Sequence, residues 1–527
     1  MTRGRGGPRA MAGEAAAGWC GWARGCGRGL LAGALALPTY LVVLPLLLIL
    51  RGVFYLLCDV PCQLLCRLCG KRQGRRTPMR SEDAFMFMET DTNRCNIVAA
   101  IELDGPPLSL PELTALVDQT VVSQPRSMPS GAADSLVEPK WPRFKQRPVR
   151  VWGYWFWEDV GDGFDLSSHV WEESSISDER ALAGLLARLQ SEAMDPERPV
   201  WDVVLARPGT RAGGTTVIFR LHHSMGDGIS LVRVLLEALD GGANPAAVPP
   251  AVGHRSGAQR GRFAKLLELG SHLFYAPLFA VEQLFAPFDR NALKPGTLAG
   301  VKHAALTPAV ELQRIKAIAR AHDSTVSAVM VACFARALAG VGGATTGDRP
   351  MKFWVPVSLS SLQGPAEMRN DLIFIMMPMP VGAQSAAAAL SSADAHMRSI
   401  KTSYEAPALW LILRAAMLLL PFSIAHPFLN FLGDKASGVF SSVPGPTEPL
   451  RWGGARVAGL RFLVPQRGGF ALGLSVVSYC GTMRAAVSAD AAALTEPGAV
   501  AEGWLAALQE LEASVKAPSQ AAVEPPK

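Results

Sequence analysis

Four common catalytic signatures are missing from this chain of 527 residues. No G-x-S-x-G elbow leads into a helix, no H-E-x-x-H could hold zinc, no G-x-x-x-x-G-K-[ST] could cradle phosphates, and no G-x-G-x-x-G opens a helix after a strand. Serine hydrolysis, zinc-protease chemistry, P-loop phosphoryl transfer and dinucleotide redox chemistry each lose their usual support. Cysteine is scarce as well. Nine, an odd number in so long a chain, do not make the framework of a disulfide-stapled secreted domain. Charge is thin, at 18% against 49% hydrophobic residues. The bulk is therefore globular, with more apolar side chain than a soluble enzyme needs, and part of the excess is expected to meet lipid. Acidic residues nearly vanish from the first 80 positions, where Glu14 and Asp59 face twelve Lys and Arg, so residues 81–527 carry a net −4. A basic N-terminal segment on a mildly acidic body suits an anionic membrane surface and argues against a nucleic-acid partner.

Within that basic segment lies GLLAGALALPTYLVVLPLLLIL, residues 29–50, 22 positions without a charge and long enough to cross a bilayer as a helix. Pro38 and Pro45 each remove a helix hydrogen bond, so a kinked or re-entrant hairpin is the alternative. Basic residues number seven after the run and five before it, which predicts a cytosolic body. Beyond it, Cys58, Cys62, Cys66 and Cys69 recur at three- and four-residue steps. That spacing predicts one helix face, with S-palmitoylation or a metal as lesser readings.

The chain divides into a basic tail (1–28), the membrane anchor with its cysteine segment (29–70), a first lobe (81–240), a linker with an apolar segment (241–296), a second lobe (297–517) and a disordered tail (518–527). In the first lobe, Ile97 to Leu103 reads as a strand, and LSLPELTALVDQTVVSQ as a helix opened by Pro111. Another helix is DERALAGLLARLQSEAM. PVWDVVLAR and GGTTVIFRL read as two strands of a core sheet, followed by the helix GISLVRVLLEALDGG. The apolar RFAKLLELGSHLFYAPLFAVEQLFAPF is either a buried helix or an interfacial one. APALWLILRAAMLLLPFSIAHPFLNFLG contains Arg414 and should break at Pro421, which favours a core or surface helix over a span.

Between the last strand and helix of the first lobe stands RLHHSMGDG, with His222, His223, Asp227 and Gly228. A histidine usually serves structure. At the mouth of a strand, however, imidazole can take a proton from an alcohol near neutral pH while the sheet holds it in place. His223 is the candidate base. Asp227 would hold the loop as a cap or ion pair, and Gly226 and Gly228 would let the backbone turn beside a ligand. Direct base catalysis of acyl transfer to a hydroxyl is the simplest chemistry these residues offer.

HHSMGDG matches the HHxxxDG motif of the wax ester synthase/diacylglycerol acyltransferase family, part of the wider CoA-dependent acyltransferase superfamily that includes condensation domains. SEDAFMFME resembles that family's opening segment, RPVWD its PLW motif, RNDLIFIMMPMPV its GN-containing strand, and SSVPGP its NVPGP turn. The likeness covers most of residues 81–515. It implies an α/β fold of two pseudo-symmetric mixed-sheet lobes with a tunnel between them, to which the N-terminal membrane helix is added. Acyl-CoA would be a substrate rather than a cofactor, no metal is called for, and the acceptor would be a fatty alcohol or diacylglycerol drawn from a bilayer. By motif position His223 would deprotonate the acceptor, His222 and Asp227 would support the loop with Gly228, and Pro199, Trp201, Asn370, Ser442, Pro444 and Gly445 would line the substrate site. The membrane expected is the endoplasmic reticulum, with the plastid as the alternative. The chain departs from the family at Ser327 and Ala328, where an Asn-Asp pair is usual, and at Val200, Ser442 and Arg369. A polar alcohol as acceptor, or a non-catalytic lipid binder, are the competing functions.

Overall fold

A computed structural model describes residues 27–56, 61, 76–87, 89–126, 139–151, 154–207, 214–239, 262–341, 351–358, 366–402, 405–420 and 422–520. Residues 1–26 of the basic tail, the four cysteines Cys58, Cys62, Cys66 and Cys69, residues 240–261 of the linker region and the C-terminal tail from 521 lie outside these residues.

The first helix, α1 (Gly27–Val53), is 27 residues long and only 6% buried over its most apolar window. The helix runs on through both prolines and does not turn back as the hairpin alternative would require. Pro38 stands just before a π-helical turn over Thr39–Val43, and Pro45 sits in the first turn of the following Leu44–Phe54 stretch, where a missing N–H costs least.

Strands then alternate with helices. β1 (Arg76–Pro78) joins β3 (Gln146–Val151) and β4 (Tyr154–Asp159) in a small antiparallel sheet, ordered β1-β4-β3. Between them come β2 (Asn96–Asp104) and α2 (Leu110–Val117), the latter opened by a Ser109–Glu112 capping box. Next are β5 (Val170–Glu173), α3 (Glu179–Ser191, capped by Asp178), β6 (Trp201–Ala206), β7 (Thr215–His222) and α4 (Gly228–Ala238). α5 (Arg262–Phe285) follows, with Pro277 inside it.

The second lobe holds β8 (Lys302–Leu306), β9 (Val310–Glu311), α6 (Leu312–Ala321), α7 (Val326–Gly340), β10 (Met351–Ser358), β11 (Leu372–Met379), α8 (Ala386–Thr402), α9 (Glu405–Leu419) and α10 (Phe422–Gly433). It ends with β12 (Gly438–Val443), β13 (Arg451–Trp452), β14 (Ala455–Leu463), β15 (Leu472–Tyr479), β16 (Thr482–Asp490) and α11 (Gly498–Gln520). The apolar 406–433 stretch forms two helices, one ending at Leu419 and the next beginning at Phe422, as its sequence predicts. α7 is apolar on nearly every side and forms the heart of the second core, packed against α8 and α11. Of the two departures from the usual polar pair, Ala328 is buried in that core and Ser327, half-buried, stands in the first turn of the same helix.

Two large mixed sheets result. One runs β11-β10-β12-β15-β16-β8, and the other β13-β14-β2-β7-β6-β5. The second order was not legible beforehand: β13 and β14, from the C-terminal part, complete the N-terminal sheet, with β14 antiparallel to β2. Buried polar contacts lace the exchange together. Arg461 on β14 donates Nε–H to Glu102 on β2 at 2.8 Å, and Arg484 on β16 reaches the same carboxylate at 3.0 Å. Burial alone would raise the Glu102 carboxyl, but the two guanidiniums outweigh it and hold it below its usual range.

Candidate active site

His223 owes its place to β7 and the strands on either side. Asn96 faces His222 across β2, Leu221 faces Trp201 across β6, and the His223 N–H donates to the Cys95 carbonyl at 2.8 Å. Arg220 donates Nε–H to Asp202 at 2.9 Å, and both are buried. This pair pins the register of RPVWD against RLHH; slipping it by one residue would turn every side chain of β7 to the other face.

At the end of β7 the chain makes a single turn, His223–Met225, before α4 begins. Asp227 caps that helix, accepting from the Ser230 N–H at 2.8 Å with one oxygen. Its other oxygen accepts from the Asp371 N–H at 2.9 Å, and its own N–H donates to the Arg369 carbonyl at 3.2 Å. Asp227 is thus a buried tie between the histidine turn and the segment entering β11.

The same segment brings in Asn370. Its side-chain oxygen lies 2.9 Å from Nδ1 of His223. Its NH2 group faces two acceptors, the His223 carbonyl at 2.8 Å and Asp83 Oδ1 at 2.9 Å, so the amide oxygen must be the atom turned to the imidazole. Nδ1 therefore carries the ring proton and donates it to Asn370. Nε2 keeps its lone pair. Burial pushes the His223 pKa down, and the pull upward from Asp227 and Asn370 does not make up for it, so the ring is neutral near neutral pH. A neutral imidazole with a fixed tautomer and a free Nε2 can accept a proton from an alcohol.

Behind Asn370 stands Asp83, fully buried, from the SEDAFMFME segment. Its Oδ1 also accepts from the Asn370 backbone N–H at 2.9 Å, and its Oδ2 accepts from Arg143 at 2.5 Å. Arg143 in turn donates to the carbonyls of Ser224 and Met225, at 3.1 and 2.9 Å, on the histidine turn itself. Neither Asp83 nor Arg143 was expected at the site. Asp83 lay inside a recognised segment, whereas nothing in the spacing around Arg143 marks it.

His222 supports the turn. Its Nδ1 accepts from the Ser224 N–H at 3.2 Å, and its ring stacks on Phe87, which stacks on Trp155. Nε2 faces Glu89 at 3.7 Å. Burial would raise the Glu89 carboxyl, but His222, the Cys95 N–H and Arg94 together hold it below its ordinary range.

The remaining expected site residues fall into two groups. A Cβ on Gly228 would lie 3.3 Å from Val443, so the histidine turn and the SSVPGP loop touch. In that loop Ser442 is exposed, Pro444 half-buried and Gly445 buried. Pro199 and Trp201 pack into the sheet that carries His223. Both are buried, and Trp201 donates Nε1–H to the Phe144 carbonyl at 3.0 Å and stacks on His169. Asn370 gives its polar groups to His223 and Asp83 and also lines a narrow cleft. That cleft is lined by Phe85, Leu372, Phe374, Leu413 and Met417, and Arg414 pairs with Glu82 across its side at 2.9 Å. Among the described residues no three His, Cys, Asp or Glu side chains gather as a metal site would need.

Two lobes that share a strand exchange, with an HHxxxDG turn between them, define a two-lobed acyltransferase. The chain belongs to the wax ester synthase/diacylglycerol acyltransferase family: the catalytic-domain model of that family matches residues 81–330, and its C-terminal-domain model matches residues 368–512. A Mycobacterium tuberculosis (strain H37Rv) protein named "Probable diacyglycerol O-acyltransferase tgs2" is 23% identical over 433 residues, covering 77% of this chain and 92% of that protein. Among solved structures, the fold is similar to the wax ester synthase/diacylglycerol acyltransferase from Marinobacter aquaeolei VT8, with a TM-score of 0.58 and 20% identity over 83% of this chain and all of that one. TRI3 trichothecene 15-O-acetyltransferase from Fusarium sporotrichioides is also similar in fold, with a TM-score of 0.55 and 11% identity over 84% of this chain and 95% of that one.

Proposed function

We propose that the chain transfers a fatty acyl group from acyl-CoA to the hydroxyl of a membrane lipid, making wax ester from a long-chain alcohol or triacylglycerol from diacylglycerol, with His223 as the base. The observation that carries the mechanism is the Nδ1–H bond from His223 to Asn370, which leaves Nε2 as the proton acceptor. As the acceptor oxygen attacks the thioester carbonyl, Nε2 takes the hydroxyl proton. The tetrahedral intermediate then collapses, the C–S bond breaks, and the proton on Nε2 passes to the departing thiolate of CoA. Ester and free CoA are the products, and no acyl-enzyme forms.

The bilayer enters the proposal through α1. At about 1.5 Å per residue its 27 residues exceed the roughly 30 Å hydrocarbon core. α1 is joined to the body through α5, where Tyr40 donates to the Leu273 carbonyl at 2.5 Å and Arg28 pairs with Glu282 at 2.8 Å. α5 itself exposes Leu267, Leu269, Leu273, Phe274 and Phe285, a surface suited to lipid. The excess of basic residues after α1 favours a cytosolic body.

The test uses microsomes bearing the full chain, given labelled palmitoyl-CoA with hexadecanol or with diacylglycerol. Labelled ester with stoichiometric CoA release, lost in a membrane-bound His223→Ala, supports the reading. Ester from a short polar alcohol alone, or lipid binding without turnover, overturns it.

A further inference from the structure

The orientation of the Asn370 amide decides which nitrogen of His223 is free, and it is itself decided by something. A carboxamide can flip by half a turn with little change of shape, exchanging its oxygen for its NH2 group. In the observed orientation the NH2 group meets Asp83 Oδ1 and the His223 carbonyl, both acceptors. Flipped, the amide would set oxygen against oxygen twice and present a donor to Nδ1. The ring proton would then have to move to Nε2, and the base would be capped. Asp83 makes a second demand as well: its Oδ1 accepts from the Asn370 backbone N–H, while Oδ2 is held by Arg143.

We propose that Asp83 is a positioning residue that sets the tautomer of His223 through Asn370, with Arg143 fixing how Asp83 itself can be substituted. The inference rests on His223 being the base. Replacing Asp83 by asparagine shows the logic. Arg143 has only donors, so the new side chain would turn its oxygen to Arg143 and its NH2 group to Asn370. Asn370 would then be driven to flip and offer its oxygen to that NH2 group, with its own NH2 group facing Nδ1, although its oxygen would oppose the His223 carbonyl and its backbone N–H would face a donor. The free lone pair would move to the wrong nitrogen, at some cost in stability. The wrong amide orientation should therefore harm catalysis more than having no amide at all, because an imidazole without a partner at Nδ1 still samples the productive tautomer.

A double-mutant cycle on the full-length membrane-bound protein tests this, with kcat and both KM values measured for wild type, Asp83→Asn, Asn370→Ala and the double variant. In the wild-type background Asp83→Asn should lower kcat by about a hundredfold or more, within the range for loss of a positioned base. Asn370→Ala should lower it less. In the Asn370→Ala background the added Asp83→Asn should change kcat by no more than about twofold, since the route to the ring is already gone. Neither KM should move with kcat. Equal losses in both backgrounds would mean that Asp83 only holds the fold together, and would overturn the proposal, as would an Asn370→Ala enzyme as slow as Asp83→Asn. If Asp83→Asn fails to bind palmitoyl-CoA or to reach the membrane, Asp83→Glu takes its place in the cycle. It keeps the charge Arg143 needs while displacing the acceptor by one methylene, and its kcat loss should likewise vanish in the Asn370→Ala background. His223→Ala separates the two ideas: an active His223→Ala defeats the base assignment, whereas an inactive one beside an additive cycle defeats only the role of Asp83.

Discussion

His223 and Asn370 lie 147 residues apart in the chain, on different lobes, and meet at 2.9 Å from ring nitrogen to amide oxygen. The imidazole and the amide that orients it are thus supplied by different lobes, and their contact exists only when both lobes are in place.

The first prediction concerns pH. Because burial pushes the His223 pKa down, the ring stays neutral somewhat below the ordinary value of about 6.5. The acid limb of kcat/KM for ester formation should therefore fall below that pH. His223→Ala should lower kcat by roughly a hundred- to ten-thousandfold and abolish the limb. A limb at or above the ordinary histidine pKa would contradict the burial argument.

Asp227→Asn separates charge from architecture. Asp227 is the first of the influences that raise His223, so its loss should move the acid limb to still lower pH. An amide has one acceptor oxygen where the carboxylate serves both Ser230 and Asp371, so one buried N–H loses its partner, at a cost of about 1–3 kcal/mol. Thermal unfolding in detergent would read the second effect and a pH–rate profile the first.

Two glycines should respond in opposite directions to alanine. At Gly445 a Cβ would stand 2.1 Å from the Ser478 carbonyl oxygen, so backbone must shift, and Gly445→Ala should cost about 1–3 kcal/mol or more. At Gly184, exposed in α3, nothing lies within 4 Å, and Gly184→Ala should stabilise by up to about 1 kcal/mol. Melting temperatures of the two variants would decide it.

Glu102 makes the lobe junction sensitive to acid. Its folded pKa is depressed, so its contribution is fully present above the unfolded carboxylate pKa of about 4.3 and is lost as pH falls through the lower folded value. Arg461→Gln removes part of that depression. The variant should lose less stability than wild type between about pH 5 and pH 3, although it starts from a lower value. Denaturant titrations at both ends of that window would show it.

Much of the site's local frame could be read in advance because its signals are local. The apolar, β-branched run of β7, the aspartate before α4 and the glycines around it announce a strand, a turn and a helix. What lay across the lobes could not be read this way. Nothing near His223 names Asn370, Asp83 or Arg143, since their contacts arise only on folding. Trp201 shows the same limit: a motif tryptophan beside the histidine strand is equally suited to a pocket and to a core, and the partner of its indole N–H, the Phe144 carbonyl, is named by nothing nearby in the sequence. Pro38 and Pro45 kept a hairpin open as the alternative because residue type alone does not show that one falls beside a π-turn and the other in a first turn, where the helix tolerates it.

The insertion of β14 beside β2 fixes the order of events during synthesis. α1 emerges first and can enter a bilayer while the rest is still being made, but β2 keeps an open hydrogen-bonding edge until residue 463 has left the ribosome, some 360 residues later. Through that interval the N-terminal sheet is a template for any passing strand. Cutting the gene at the linker would therefore yield not two working halves but one fragment with an unfilled edge and another carrying an orphan hairpin.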